Sequence, residues 1–568
     1  MPLRQVHTGF HNQASEERAY DEPVSMILRA PQASRLDVRV TGGVARGVRE
    51  GGLLAWRGLP YAAPPVGSLR FRAPQPVVPW TGIRDASRYG LVAPQLYRGQ
   101  FKGTGPKIPS GEDCLTINVV SASVTQRKRL GMPVMVFIHG GGYCAGSSQD
   151  FAGQGEGFVR SGHIVYVSFN YRLGALGFLH FGRYGTPERP VDSNLGLRDQ
   201  VAALEWVRDN IRGFGGDPHN VTVFGESAGG NAVTTLMATP SARGLFARAI
   251  AQSAPANAVY STHRADDWAT EFVAILKAEM AAVSAGAGLL ASADIQSQTD
   301  AAPAADREDI LETLESASVA QLTAAALVLQ IRTPNSNPGT FCLAPVVDGD
   351  FLPEHPLDVF RAGLQVPVPL IIGTNDREGA IFRGRVDILP KSPARISALF
   401  LRADPVSHPA MRKTYPGLPE KQRSAADFAG DYAFWYPSVT VGELHSRVAP
   451  VRFYRFDVAP RIMHVLGLDA THGIELFALF DRVDTLFART MTSLGGRDDF
   501  MRAGERMRHS WLQFACTGRV GSTWPPYTEE DRATLIIAEN DRVEFDPRVE
   551  RRLAWQAFLP EAREKEAR

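Results

Sequence analysis

Short apolar runs alternate with amphipathic stretches along most of the chain. The clearest runs are Val134–Ile138, Ile164–Phe169, Val221–Phe224, Ala249–Gln252, Leu370–Ile372 and Val451–Phe456. Most are nearly continuous in apolar character, the pattern of strands covered on both faces. Arg452 and Arg455 interrupt the last run, which places it nearer a sheet edge. Between the second and third runs, Gly196–Arg212 carries Leu197, Val201, Leu204, Val207 and Ile211 at helical spacing, and Gly213, Gly215 and Gly216 then supply a stop. Strand, helix, strand, repeated, predicts an α/β fold: a mostly parallel sheet with helices on both faces. Two stretches read as loops and candidate lids: Ala281–Ala305, rich in Ala, Ser, Gly and Gln, and Arg332–Gly339, rich in Asn, Pro and Thr. Met1–Arg35 lacks periodicity and reads as a poorly ordered arm.

Composition narrows the function classes. The chain has 568 residues, 61 Lys and Arg against 60 Asp and Glu, a formal charge of +1 and 44% apolar residues. Such a balance gives no electrostatic footprint for phosphates, so nucleic acid is not the expected partner. The apolar share is that of a folded chain, not a disordered one. No stretch approaches the apolar length of a membrane span, and Glu16, Glu17, Asp21 and Glu22 fall where a signal peptide needs apolar residues. Cys114, Cys144, Cys342 and Cys516 are too few for a disulfide framework and read as buried thiols, which points to the cytoplasm. His7 and His11 sit four apart, but without a neighbouring ligand they read as no metal site.

The sharpest chemical signal is G-E-S-A-G-G at Gly225–Gly230, between the run Val221–Phe224 and the helix-compatible Asn231–Ala238. Glycines on both sides of Ser227 let the chain turn sharply from strand to helix and expose its hydroxyl, with the helix N-terminus facing any developing negative charge. H-G-G-G-Y at His139–Tyr143 follows another strand, where successive glycines let N–H groups converge on an oxyanion. No Lys-Ser/Thr follows as a P-loop needs, and Gly146–Gly155 reads as loop, not the helix a dinucleotide site requires.

A serine nucleophile also needs a base and an orienting acid, in the chain order serine, acid, histidine for such a turn. Glu378 lies just beyond the strand Leu370–Ile372, with Asp376 as the local competitor. His472, before Gly473 and an apolar helical run, is the favoured base, with His464 as runner-up.

These motifs, in this order, resemble the type-B carboxylesterases of the α/β-hydrolase fold, the group that includes bacterial carboxylesterases and cholinesterases. The resemblance runs from about Leu36 to Trp555. It includes W-R-G-L-P-Y-A-A-P-P-V-G from Trp56, E-D-C-L-T-I-N-V from Glu112, N-Y-R-L-G from Asn170, A-P-V-V-D-G from Ala344, G-T-N-D-R-E-G and T-H-G-I-E. It implies one catalytic domain over residues 36–568. It also implies Ser227 as nucleophile, Glu378 as acid, His472 as base and the N–H groups of Gly141, Gly142 and Ala228 as oxyanion donors. Glu226 and Glu475 are implied as carboxylates close to the imidazole. The activity implied is hydrolysis of small-molecule esters through an acyl-enzyme, with neither a cofactor nor a metal. Amide, carbamate or long-chain lipid hydrolysis on the same machinery is the alternative, and a non-catalytic interaction domain would have lost the serine. Secreted members bridge the cysteine of E-D-C-L to one upstream. No cysteine precedes Cys114 here, which leaves the rim loop at Leu91–Ile108 freer to move.

Overall fold

Side chains that alternate along the apolar runs enter two different cores, which explains why the runs read as continuous. Val134, Val136, Ile138, Val165, Val167, Val221, Val223, Ala249, Ala251, Leu370 and Ile372 join one core. Met135, Phe137, Tyr166, Phe224, Ile250 and Ile371 join the other. Successive residues of a strand face opposite ways, so a sheet buried on both sides needs apolar residues at every position. Each fully buried aliphatic side chain contributes about 1.5–3 kcal/mol.

The structure is a computed structural model. It describes residues 36–559 except residues 100, 106, 123–130, 151–153, 163, 287–306 and 483. The arm expected at Met1–Arg35 lies outside the described residues, as do His7 and His11.

The main sheet has eleven strands. In chain order they are β1 (Val48–Glu50), β2 (Leu53–Pro60), β3 (Thr116–Ala122), β4 (Met132–Ile138), β5 (Val165–Phe169), β6 (Gly216–Glu226), β7 (Arg248–Gln252), β8 (Leu370–Asn375), β9 (Val451–Phe456), β10 (Ala533–Ile537) and β11 (Arg542–Phe545). Their spatial order is β11-β10-β9-β8-β7-β6-β4-β5-β3-β2-β1. Pairing is parallel from β5 through β4, β6, β7, β8 and β9 to β10, and antiparallel at both margins. The first core also takes α1 (Leu195–Asn210), α2 (Ala228–Ala238), α3 (Thr262–Ser284) and α4 (Val319–Ser336). The second core takes α5 (Arg497–Thr517) through Ala503, Met507 and Trp511.

The predicted strands are all present, and helix α1 differs from its prediction by one or two residues. Gly215, at φ 90°, ends the 3-10 turn that follows α1, whereas Gly216 already opens β6. β9 lies two strands in from the β11 edge, and Arg455 meets Asp457 at 2.7 Å.

Two loop expectations need correction. Arg332–Ser336 is the last part of α4, not loop. The helix starts at a capping box of Ser318 and Gln321, and its buried apolar face carries through Leu329. Pro334 sits in the final turns, where its missing N–H removes a single bond. Ala281–Ser284 is likewise helical, ending α3, and residues 287–306 are outside the described set. The cysteine reading is also corrected in part. All four are free, but Cys516 is exposed and Cys144 only partly buried, while Cys114 and Cys342 are buried. No single described helix is long and apolar enough to cross a membrane.

Candidate active site

Strand register brings the chemistry together. Ile138 of β4 pairs with Gly225 of β6, Gly225 with Ala251 of β7, and Ala251 with Ile372 of β8. The carboxyl ends of four adjacent parallel strands therefore lie level. The residues at and just beyond these ends, His139–Gly142, Ser227, Ser253 and Asn375–Glu378, gather at one edge of the sheet. Open α/β sheets place ligands at that edge.

Ser227 occupies the corner between β6 and α2, at φ 59° and ψ −123°. A non-glycine residue in that region stores on the order of 1–3 kcal/mol. Its backbone N–H donates to the Gln252 carbonyl at 3.0 Å, which ties the corner to β7. The turn closes because Gly229 has no side chain: a Cβ there would lie 2.1 Å from the Ile138 carbonyl oxygen. Across from it, Gly141 and Gly142 have φ of 106° and 61°. The N–H groups of Gly141, Gly142 and Ala228 donate to no backbone carbonyl among the described residues.

Glu378 accepts three hydrogen bonds. Ser253 Oγ and the Asn375 N–H reach Oε1, each at 2.6 Å, and His472 Nδ1 lies 2.6 Å from Oε2. This arrangement fixes the tautomer of His472 and leaves Nε2 for other work. Nε2 has no hydrogen-bond partner among the described residues, although Glu226 Oε1 stands 3.2 Å away. Phe382 and Phe434 hold the imidazole, with ring centroids 5.2 and 4.3 Å from its own. Glu475 accepts from Asn375 Nδ2 at 2.7 Å and from Gln252 Nε2 at 3.2 Å.

Three buried carboxyl groups thus stand around one imidazole. Burial raises the pKa of Glu226; His472 opposes the rise, while Glu475 and Glu378 add to it. Burial likewise raises Glu475, with Glu378 adding to the rise. Burial works against charge on His472, but Glu226 and Glu378 outweigh it, and its pKa is raised. The site favours an imidazolium, the species a general base becomes in the transition state.

Ser227, Gly142 and Ala228 line a cavity whose other walls include Phe101, Phe341, Phe382 and Phe434. Ser227 opens on this cavity, His472 packs against two of its walls, Phe382 and Phe434, and Glu378 bonds His472; the competitors lie elsewhere. Asp376 bonds Arg548 at 2.6 Å, and His464, half exposed, bonds Asp469 at 2.7 Å. Ser253 and Asn375, which hold Glu378, went unread in the sequence. The one available signal was their position: Ser253 just after β7, which pairs with β6, and Asn375 at the end of β8, one strand further along the sheet.

The chain matches the model of the Carboxylesterase family over residues 34–555. It is 33% identical over 515 residues to para-nitrobenzyl esterase of Bacillus subtilis (strain 168), covering 90% of this chain and 96% of that protein. It is 32% identical over 511 residues to phenmedipham hydrolase of Pseudarthrobacter oxydans, covering 88% and 94%. Among solved structures, a PNB esterase superposes with a TM-score of 0.74 at 32% identity, covering 92% of this chain and 100% of that one. Carboxylesterase EST55 of Geobacillus stearothermophilus superposes with a TM-score of 0.73 at 30% identity, with coverage of 92% and 100%.

Proposed function

The chain belongs to the carboxylesterase family, with the α/β-hydrolase fold, and hydrolyses carboxylic esters; we propose that it does so through Ser227, His472 and Glu378. The observation that carries this assignment is the 2.6 Å contact of Glu378 with His472 Nδ1, in an imidazole whose Nε2 has no hydrogen-bond partner among the described residues.

His472 Nε2 takes the proton of Ser227 Oγ as that oxygen attacks the ester carbonyl. Glu378 orients the ring and stabilises the imidazolium; Ser253 and Asn375 keep its carboxylate in place. The tetrahedral oxyanion is held by the N–H groups of Gly141, Gly142 and Ala228, and losing one such donor costs about 3–4 kcal/mol. Helix α2 adds its positive end at the same point. His472 then protonates the departing alcohol. Water, activated by the same nitrogen, releases the acid and restores Ser227. Glu226 and Glu475 act through the imidazole, setting how readily it holds the proton.

The reading extends to one catalytic unit over residues 36–568, with Met1–Arg35 as an arm outside the catalysis, and to a cytoplasmic location. Four free cysteines support the second point. Cell fractionation, and an assay of a chain shortened to residues 36–568, check these two points. The catalytic assignment is tested with p-nitrophenyl esters. Ser227→Ala should abolish turnover while the thermal unfolding midpoint stays close to that of the parent; unchanged turnover would refute it.

A further inference from the structure

Glu378 and His472 meet at 2.6 Å although 94 positions separate them in the chain. A catalytic contact of that kind needs its supporting loops held to within about 0.5 Å. The loop that carries His472 needs help to stay in place. Asp469 at φ 50° and Gly473 at φ 72° bracket the imidazole with two left-handed residues. A non-glycine residue in that region persists only where its surroundings hold it. Two main-chain donors of the acid loop supply part of the support. The Arg377 N–H donates to the Ala470 carbonyl at 3.0 Å, and the Ile381 N–H donates to Thr471 Oγ1 at 2.9 Å.

One side chain of the acid loop supplies more. Arg377 immediately precedes Glu378, and its side chain is only 7% exposed. Its Nη1 donates to Asp469 Oδ2 at 2.7 Å and to the Gly467 carbonyl at 3.0 Å. Its Nε donates to Asp427 Oδ1 at 2.8 Å. Asp427 belongs to the helix Gln422–Gly430, which lies against the acid loop: a Cβ on Gly379 would stand 1.9 Å from the Ala426 carbonyl oxygen. One guanidinium thus joins the base loop, the acid loop and the helix that covers them. Its planar fork fixes angle as well as distance. Asp469 also meets His464 at 2.7 Å and Arg423 at 3.4 Å, but both of these side chains are more than half exposed. Exposed pairs hold geometry weakly, so the buried partner sets where Asp469 lies.

We propose that Arg377 is a positioning residue for the catalytic pair: through Asp469 it sets the His472 ring against Glu378, and it governs turnover without touching the substrate. This rests on the reading of Glu378 and His472 given above. Buried ion pairs are weak evidence for stability, and the effect specific to this one is on the geometry of the pair it serves.

The test uses p-nitrophenyl butyrate and proton NMR on the full chain. In Arg377→Met, kcat should fall on the order of tenfold to a hundredfold while KM stays within about twofold. The far-downfield proton resonance of His472 Nδ1–H, the mark of a short bond to a carboxylate, should move upfield or be lost to exchange. Asp469→Asn should reproduce much of this. Adding it to Arg377→Met should cost little further turnover, because both substitutions cut the same link. Arg552→Ala is the structural control. It removes an ion pair of similar burial, with Asp546 at 2.6 Å, and neither partner bonds either loop. It should lower the unfolding midpoint and leave kcat within about twofold. If Arg377→Met does not fold, Asp469→Asn carries the test. Unchanged turnover and resonance in whichever variant folds, a loss of kcat no larger than that of Arg552→Ala, or full additivity in the double variant would each overturn the inference. Glu378→Gln separates it from the reading beneath: parental turnover in that variant would overturn the catalytic assignment, whatever the Arg377 variants do.

Discussion

Two of the places where the protein buries charge treat it in opposite ways. Arg172 and Asp199 are almost wholly buried and matched one to one: Nη2 meets Oδ1 at 2.7 Å and Nε meets Oδ2 at 2.8 Å. The remaining guanidinium nitrogen donates to the Arg72 carbonyl at 2.7 Å, and the Arg172 N–H returns to Asp199 at 3.0 Å. Around His472, by contrast, three buried carboxylates face one imidazole. Glu378 and Glu475 are well provided with donors, but Glu226 Oε1 has none among the described residues. The first arrangement satisfies every charge and joins the segment after β5 to α1. The second sets more carboxyl groups than cations in the interior: burial pushes Glu226 and Glu475 towards their neutral forms, while Glu226 and Glu378 favour a proton on the imidazole. Burial alone thus says nothing about function; the mismatch of charge does.

Breaking each arrangement should separate the two roles. The largest effect belongs to Glu378→Gln, which removes the carboxylate that holds the His472 tautomer. Ester turnover should fall on the order of 10⁴-fold, with little loss of fold, as read by steady-state kinetics beside thermal unfolding. Arg172→Ala should do the reverse. It strands Asp199 in the interior and should cost about 3–5 kcal/mol in denaturant unfolding, while the folded fraction keeps kcat within a few-fold. A large loss of kcat at unchanged stability would erase the distinction. The smallest effect is that of Glu226→Gln. A negative charge beside an imidazolium raises its pKa, so removing that charge lowers it, and the neutral base survives to lower pH. The acidic limb of the pH–kcat/KM profile should therefore move down, on the order of one pH unit. A shift in the other direction would contradict the role given to Glu226.

How far the sequence alone reached depended on the range of the interaction concerned. The β6–Ser227–α2 corner was legible because its causes are local: two glycines, a strand and a helix within a dozen residues. The sheet was legible because burial on both faces leaves unbroken apolar runs. His472 and Glu378 were not, since ninety-odd residues separate them and only the order of family motifs chose them over His464 and Asp376. Ser253 and Asn375 were invisible for the same reason: their value comes from the register of β7 and β8 beside β6. The end of α4 misled because its Asn, Pro and Thr have loop composition, while the helix is held by a buried face that begins at Leu322.

The central claim is that Ser227 Oγ forms the covalent acyl intermediate with His472 as its base. A p-nitrophenyl alkylphosphonate tests it directly, because the phosphorus accepts the same attack and the adduct does not turn over. Intact-mass measurement should show one adduct per chain with release of one p-nitrophenolate, and peptide mapping should place it on Ser227. His472→Ala should slow its formation by several orders of magnitude. An adduct on another residue, or labelling of Ser227→Ala at the parent rate, would contradict the account.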